Sequence, residues 1–180
     1  NITPIALSTV GGTTVLSDGA MPIFAFKVTV AATENQNAAV DLTDLYLTVN
    51  NSGLTGLTSA NIYRTDAAAT TVNASSTALT AIQFIGTDAD LSGLTNIGPG
   101  ESATFVVEAT VAGASAGDTL QVRLASLGAQ GTEGTVDFSA GDLVWSDNDD
   151  ETTDNKTSWI SWPGITINSV TGETLIKPAS

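Results

Sequence analysis

The sequence contains no cysteine and no histidine. Without cysteine there can be no disulfide, no thiolate nucleophile and no thiolate-ligated zinc or iron site. Without histidine there is no Ser-His-Asp triad, no imidazole base and no imidazole metal ligand. Carboxylate chemistry remains, but a glycosidase needs two carboxyl groups about 5 to 10 Å apart in a sugar-sized cleft. No motif brings a second acid to Glu101 or Glu108, so we expect that the protein is not an enzyme.

Basic residues are also scarce. Five lysines and arginines stand against 19 acidic residues, giving a formal net charge of −14. Because the five cations form no cluster, nucleic acid and anionic membranes are poor partners. No apolar run reaches the roughly 18 residues that span a bilayer, which argues against membrane insertion. The polar residues are mainly Thr, Ser and Asn, and together with the lack of cysteine this favours a secreted prokaryotic protein at the cell surface.

Strict alternation of apolar and polar residues is typical of half-buried β-strands and recurs along the chain. The four clearest apolar rows are Phe24-Phe26-Val28-Val30, Leu45-Leu47-Val49, Phe105-Val107-Ala109-Val111 and Leu120-Val122-Leu124. Val40 and Leu42 have the opposite parity to the second row. This change of parity predicts a bulge or bend near Thr43.

Weaker strand patterns and turn signals complete the prediction. The weaker patterns cover residues 5–10, 60–63, 79–85, 136–145, 159–167 and 174–176. Turn signals such as Asp18-Gly19, Asn50 to Gly53 and Gly98-Pro99-Gly100 separate them. About nine or ten strands at this spacing, with no helical period, predict an all-β fold, either a two-sheet sandwich or a jelly roll. The length of 180 residues favours a single domain over 1–180.

Several segments in the first two thirds of the chain carry a resemblance to known proteins. They are Phe24 to Val30, Val40 to Val49 with its Leu-Thr-Asp-Leu core, Ala60-Asn61-Ile62-Tyr63, and Ile97 to Val107 with its Gly-Pro-Gly turn. In this succession the chain resembles β-sandwich domains of prokaryotic secreted surface proteins, S-layer-like or pilus-like, over about residues 20 to 127. The resemblance implies architecture and an extracellular location more than an activity.

The amino-terminal segment is similar in design to that of filament subunits of the TasA and archaeal bundling-pilus type. In those jelly rolls a terminal strand of one subunit completes a sheet of its neighbour, a form of β-augmentation that propagates as a fibre. The resemblance implies a donor strand in which Ile2, Ile5, Leu7 and Val10 line a groove, with a hinge at Gly11-Gly12, so that residues 1–12 are the candidate donor strand and hinge. The alternative interpretation is that this segment is the first strand of its own sandwich.

One acidic loop is the candidate metal site. Within Ser146 to Thr157, the carboxylates of Asp147, Asp149, Glu151 and Asp154 are spaced to offer several oxygen ligands to Ca²⁺. The loop lacks the glycine of an EF-hand loop, and no flanking helices are predicted. A solvated acidic loop without metal is the alternative.

Aromatic residues and sequons give two further hypotheses. Trp145, Trp159 and Trp162, with Tyr46 and Tyr63, are candidates for a sugar-stacking platform, although aromatic residues also dominate cores and subunit interfaces. The sequons at Asn50, Asn73 and Asn155 fall in predicted loops and are candidate glycosylation sites.

Taken together, these patterns predict a structural subunit of an extracellular filament or pilus-like assembly. Copies join head to tail by donor-strand complementation or edge-strand pairing, with no required cofactor apart from the candidate Ca²⁺. One alternative is a module of an S-layer or adhesin, which predicts a monomer with a self-complete fold. A second is a carbohydrate-binding module, which predicts an exposed aromatic row and affinity for glycans.

Overall fold

A computed structural model describes residues 1–32, 41–66, 71–85, 97–124, 143–146, 156–157 and 170–179. These residues form two antiparallel β-sheets packed as a sandwich, with one short 3₁₀ helix at Leu7–Val10. The predicted all-β sandwich is therefore confirmed. Among the described residues, no helix is long and apolar enough to cross a bilayer.

The first sheet, sheet A, has five strands in the order β1-β2-β8-β4-β5. Their bounds are β1 Ile2–Pro4, β2 Gly19–Thr29, β8 Ser102–Ala112, β4 Gly56–Arg64 and β5 Thr71–Asn73. All four pairings are antiparallel. The long central strand β8 pairs with β2 on one side and with β4 on the other, so it forms the middle of the sheet.

The second sheet, sheet B, is built on the long strand β3. Its strands are β3 Asp41–Ser52, β6 Ser76–Thr77, β7 Ala81–Ile85, β9 Thr119–Leu124, β10 Leu143–Ser146, β11 Lys156–Thr157 and β12 Val170–Ile176. One edge of β3 pairs with β7, which pairs in turn with β6. The other edge is shared, because β10 pairs with the first part of β3 and β9 with the last part. Outside these two lie β11 and β12 respectively.

The core consists of the inner faces of the two sheets. The rows predicted from alternation are confirmed, since every apolar residue in them except Val30 is buried and Val30 is half-buried against the same core. Phe26 stacks between two other rings, with ring centroids 5.5 Å from Phe24 and 5.3 Å from Phe105. Because successive side chains of a strand point to opposite faces, one face can be buried while the hydrogen bonds between strands are kept. Hydrophobic burial of these faces then holds the two sheets together.

The predicted bulge near Thr43 is present. Opposite β10, Asp44 pairs with Val144 and Leu42 pairs with Trp145, so that Thr43 is the extra residue of β3. The bulge reverses the parity of the strand, which is the reason for the change of pattern between Leu42 and Leu45.

Other strands and turns have different bounds in the structure from those predicted. Residues 5–10 do not form a strand: Leu7–Val10 is a 3₁₀ helix, in which both the backbone N–H and the hydroxyl of Thr9 bond to the carbonyl of Ala6. Such local side-chain bonds compete with strand pairing. The turn expected from Asn50 to Gly53 starts later, because β3 continues to Ser52 and Gly53 takes a φ of 89°. Residues 136–142 and 159–167 lie outside the described residues.

Gly172 is a point of close contact between the two sheets. It lies in the irregular part of β12, between the pairs of Thr171 and Thr174 with β9. A Cβ at this position would lie 2.6 Å from Cδ2 of Phe24 and 2.9 Å from the carbonyl oxygen of Val122. Only glycine therefore lets β12 approach the aromatic core this closely.

We predict that Phe105→Ala lowers the free energy of unfolding by about 3–5 kcal/mol, because it removes a fully buried ring from the stack and leaves a cavity. Urea denaturation followed by tryptophan fluorescence measures the change. Thr58→Ala, at an exposed position on the neighbouring strand β4, is the control and should stay within about 0.5 kcal/mol. Equal effects of the two substitutions would contradict the assignment of the core.

Candidate functional site

Residues 1–16, which we call the N-terminal strap, close one lateral side of the sandwich. The strap begins as an edge strand of sheet A: β1 pairs with β2 in the register Ile2↔Val28 and Pro4↔Phe26. Backbone bonds extend this pairing on both sides. The N–H of Thr29 donates to the carbonyl of Asn1 (2.8 Å), and the N–H of Ile5 donates to the carbonyl of Ala25 (2.9 Å).

The middle of the strap is the 3₁₀ helix, which fills the gap between the sheets. Leu7 at its start is 1% exposed and belongs to the core. The backbone N–H of Leu7 donates to Oε2 of Glu173 in β12 at 2.7 Å, which links the strap to sheet B. Gly11 ends the helix in the left-handed conformation (φ 81°), and the N–H of Gly12 returns to the carbonyl of Leu7 (2.8 Å).

The last part of the strap joins sheet B. Val15 forms a parallel bridge with Ile176 of β12. The N–H of Leu16 donates to the carbonyl of Ile176 (3.0 Å), and the N–H of Ile176 donates to the carbonyl of Thr14 (2.9 Å). Leu16 is 0% exposed, whereas Val15 is 48% exposed. One continuous segment therefore pairs with both sheets and places two leucines in the core between them.

The opposite lateral side is closed by a second segment that changes sheets. β5 pairs with β4 in sheet A, and after two residues β6 pairs with β7 in sheet B. Between these strands, the N–H of Ala74 donates to the carbonyl of Ala60, and the N–H of Ser75 donates to the carbonyl of Gln83, both at 2.8 Å. Strands that switch sheets in this way form the corners of β-sandwiches.

The four residues predicted for the donor strand all belong to the strap. Leu7 is buried, while Ile2, Ile5 and Val10 are half-buried and pack against the core. They do not form one alternating row, because Leu7 and Val10 lie in the 3₁₀ helix. Within this chain, the segment completes the chain's own sandwich.

Two residues important to this side were not predicted from the sequence. Leu16 follows Val15 shortly before the Asp18-Gly19 turn, where no alternating pattern marks it, and Glu173 looks like any surface acid. Their contacts join residues far apart in sequence, 166 positions in the case of Leu7 and Glu173. The short apolar pair Val15-Leu16 next to a turn is the only signal in the sequence.

The residues of the candidate metal site and one candidate glycosylation site lie outside the described residues. They are Asp147, Asp149, Glu151, Asp154 and Asn155. Within the described part of the chain, no group of three or more His, Cys, Asp or Glu side chains is placed to hold a metal ion.

Two of the sequons lie in strands. Asn50 lies in β3 and Asn73 ends β5, and the side chains of both are exposed. The prediction that these two sequons lie in loops is therefore wrong, because the strand pairing extends past the turn signals.

The two tyrosines do not share a platform. Tyr46 alternates with the buried Leu45 and Leu47 of β3 and so faces outward from sheet B. Tyr63 follows the buried Ile62 of β4 and faces outward from sheet A, on the opposite side of the sandwich. Trp145 lies in β10, and Trp159 and Trp162 lie outside the described residues.

Tyr63 lies in a polar cluster on the outer face of sheet A. Its hydroxyl donates a long hydrogen bond of 3.5 Å to Oε1 of Glu108. Burial of the ring, followed by the negative charge and the hydrogen bond of Glu108, raises the pKa of the Tyr63 phenol. Asn61, directly opposite Glu108, has a buried Oδ1 with no hydrogen-bond partner among the described residues.

We predict that the strap contributes directly to stability. Leu16→Ala removes a fully buried side chain and should lower the free energy of unfolding by about 2–5 kcal/mol. Val15→Ala, one residue away but half exposed, is the matched control and should change it by about 1 kcal/mol or less. Urea denaturation of both variants measures the difference, and a Leu16→Ala variant as stable as Val15→Ala would show that the strap is not part of the core.

We also predict that Glu108→Gln moves the pKa of Tyr63 down toward its usual value, because the substitution removes the negative charge that disfavours the phenolate. The sequence has two tyrosines, so a Tyr46→Phe background isolates Tyr63. Phenolate absorbance followed against pH gives the pKa. Glu101→Gln is the control, and an equal shift in both variants would contradict the contact.

Comparison with protein-family models, curated proteins and solved structures found no match for this chain. No relative therefore suggests an activity. The features that bear on function are the strap, the two closed lateral sides and the polar outer faces of the sandwich.

Proposed function

We propose that this protein is a structural subunit of an extracellular filament or pilus-like surface assembly, in which copies are joined through the N-terminal strap by donor-strand complementation. The observation that carries the proposal is that one continuous segment, residues 1–16, pairs with both sheets and places two leucines between them. The role is mechanical, and the proposed partners are further copies of the same chain.

The contacts of the strap favour exchange between copies. It is held by backbone hydrogen bonds to β2 and β12 and by the burial of Leu7 and Leu16. A strap from a second copy would make the same contacts, so that exchange conserves the bonding and costs mainly the entropy of association. A strap passed from each copy to the next gives a head-to-tail contact that does not close and extends as a fibre.

Simple edge-to-edge pairing is less well supported as the means of assembly. On the far side of the sandwich, β5 and β6 cover parts of both sheets. The neighbouring strand β4 has a bulge at Ser59 in its pairing with β8, and Ser59, with a φ of 52°, is the only non-glycine residue with positive φ among the described residues. A bulge twists an edge and prevents a new strand from pairing in register.

The net charge of the chain favours an assembly through backbone hydrogen bonds and buried leucines over one through ion pairs. At −14, two copies repel one another at long range. A contact built from backbone bonds and buried leucines does not depend on opposite charges and persists when salt screens the surface. An acidic surface also suits the secreted, cell-surface location that we propose.

We predict that the whole chain, concentrated and refolded, forms filaments visible by negative-stain electron microscopy. A variant that lacks residues 1–16 should remain a folded but less stable monomer, because it retains β2 to β12 without its closing segment. Adding a synthetic peptide of residues 1–16 should raise the melting temperature of the truncated variant, since the peptide fills the empty side. The Thr58→Ala variant is the control and should assemble like the whole chain.

A whole chain that stays monomeric at every concentration would contradict the proposal. A stable monomer with and without the strap would favour the S-layer or adhesin module. Saturable binding of glycans to such a monomer would favour the carbohydrate-binding module.

A further inference from the structure

The glycine pair Gly11-Gly12 is part of a packed turn. The N–H of Gly12 bonds to the carbonyl of Leu7, and a Cβ on Gly12 would lie 3.1 Å from Cβ of Pro22 and 3.2 Å from Cβ of Leu7. The pair therefore stays with the 3₁₀ helix and lies against β2. Gly12 therefore has the contacts of a helix end, whereas Gly11, with a φ of 81°, has no atom within 4 Å of the place where a Cβ would lie.

The chain remains anchored beyond this turn. Thr14 and Leu16 both bond to the backbone of Ile176, and the side chain of Leu16 is fully buried. A strap that opened at the glycine pair would leave Leu16 in its own subunit. The pairing with β2 and the hydrogen bond from Leu7 to Glu173 would then be exchanged, while the backbone bonds of Thr14 and Leu16 to Ile176 would not.

The first exposed segment after Leu16 is Ser17–Gly19. All three residues are exposed, and Gly19 has a φ of 108° with no atom within 4 Å of the place where a Cβ would lie. β2 begins at Gly19. Opening at this segment breaks the hydrogen bond from the N–H of Ala114 to Oδ1 of Asp18 (2.9 Å) and the pairing of Gly19 with Val111, but the glycine can change its backbone angles without a Cβ clash.

We infer that the unit exchanged between copies is the whole strap, residues 1–16, which opens at Ser17–Gly19. This inference rests on the proposed function and identifies which part of the chain passes to the partner, a second copy of this chain. Leu7 and Leu16 determine which segment a second copy can accept in place of its own strap. They enter the core at two separate points, Leu7 next to Glu173 and Leu16 next to Ile176.

The test uses the absence of cysteine, which makes any introduced thiol unique. Two pairs of positions report on the two parts of the strap. Thr3 and Lys27 are directly opposite in β1 and β2, and Val15 and Ile176 are directly opposite in the parallel bridge. Strand partners lie within the distance that a disulfide spans. All four positions are exposed or half-buried, so the variants should fold.

Each pair is divided between two chains. A Thr3→Cys chain and a Lys27→Cys chain are mixed in urea, refolded together at high concentration and oxidised, and a Val15→Cys chain is treated in the same way with an Ile176→Cys chain. We expect both mixtures to give a non-reducing gel band at twice the mass of one chain, lost on reduction. Each single-cysteine chain refolded alone is the control and should give much less of this band.

The outcomes separate the inference from the proposed function. A covalent dimer from Thr3→Cys with Lys27→Cys, but not from Val15→Cys with Ile176→Cys, would show that exchange stops at the glycine pair. This result overturns the inference and leaves donor-strand assembly in place. No covalent dimer from either mixture, with monomers by light scattering, would overturn both.

Discussion

A two-layer sandwich buries its inner faces only when its two lateral sides are closed, and in this protein the closure depends on segments that pass from one sheet to the other. The inner faces meet through the phenylalanine stack and the leucines of sheet B. At the sides, the edge strands would expose both apolar side chains and unpaired backbone groups to water. The strap and the β5–β6 segment each cover apolar side chains and supply hydrogen-bond partners to the edge strands, because their backbones pair with both sheets.

The two closing segments differ in how they are tied to the rest of the chain. The β5–β6 segment lies between strands β4 and β7, which hold it at both ends. The strap is joined to β2 through the exposed residues Ser17–Gly19, and its contacts with β2 and β12 are noncovalent. In the assembly that we propose, a strap from a second copy would make the same hydrogen bonds and bury the same leucines. Concentration and the route of folding would then decide between the closed monomer and the assembly.

The outer faces of the sandwich have a different character. Their side chains are mainly hydroxyls and amides, with one tyrosine on each face among the described residues. Val106 is an exception, because it is fully buried although the alternation of β8 turns it away from the core. Ala25 and Tyr63 lie directly on either side of it in the neighbouring strands. Ala25 is buried as well, so an apolar pair beside the ring of Tyr63 is shielded in the middle of a polar face.

The sequence by itself determined the fold class, the four apolar rows and the bulge at Thr43, because the alternation of a strand depends only on which residues share a face. The assignment of Ile2, Ile5, Leu7 and Val10 to a donor strand rests on a resemblance and stays a prediction. Only the tertiary structure decided that Leu7 starts a 3₁₀ helix, that Leu16 enters the core and that Glu173 and Gly172 adjoin these distant residues. The periodicity of a sequence shows which residues of one strand share a face. The contacts between residues far apart along the chain depend on how the segments pack together.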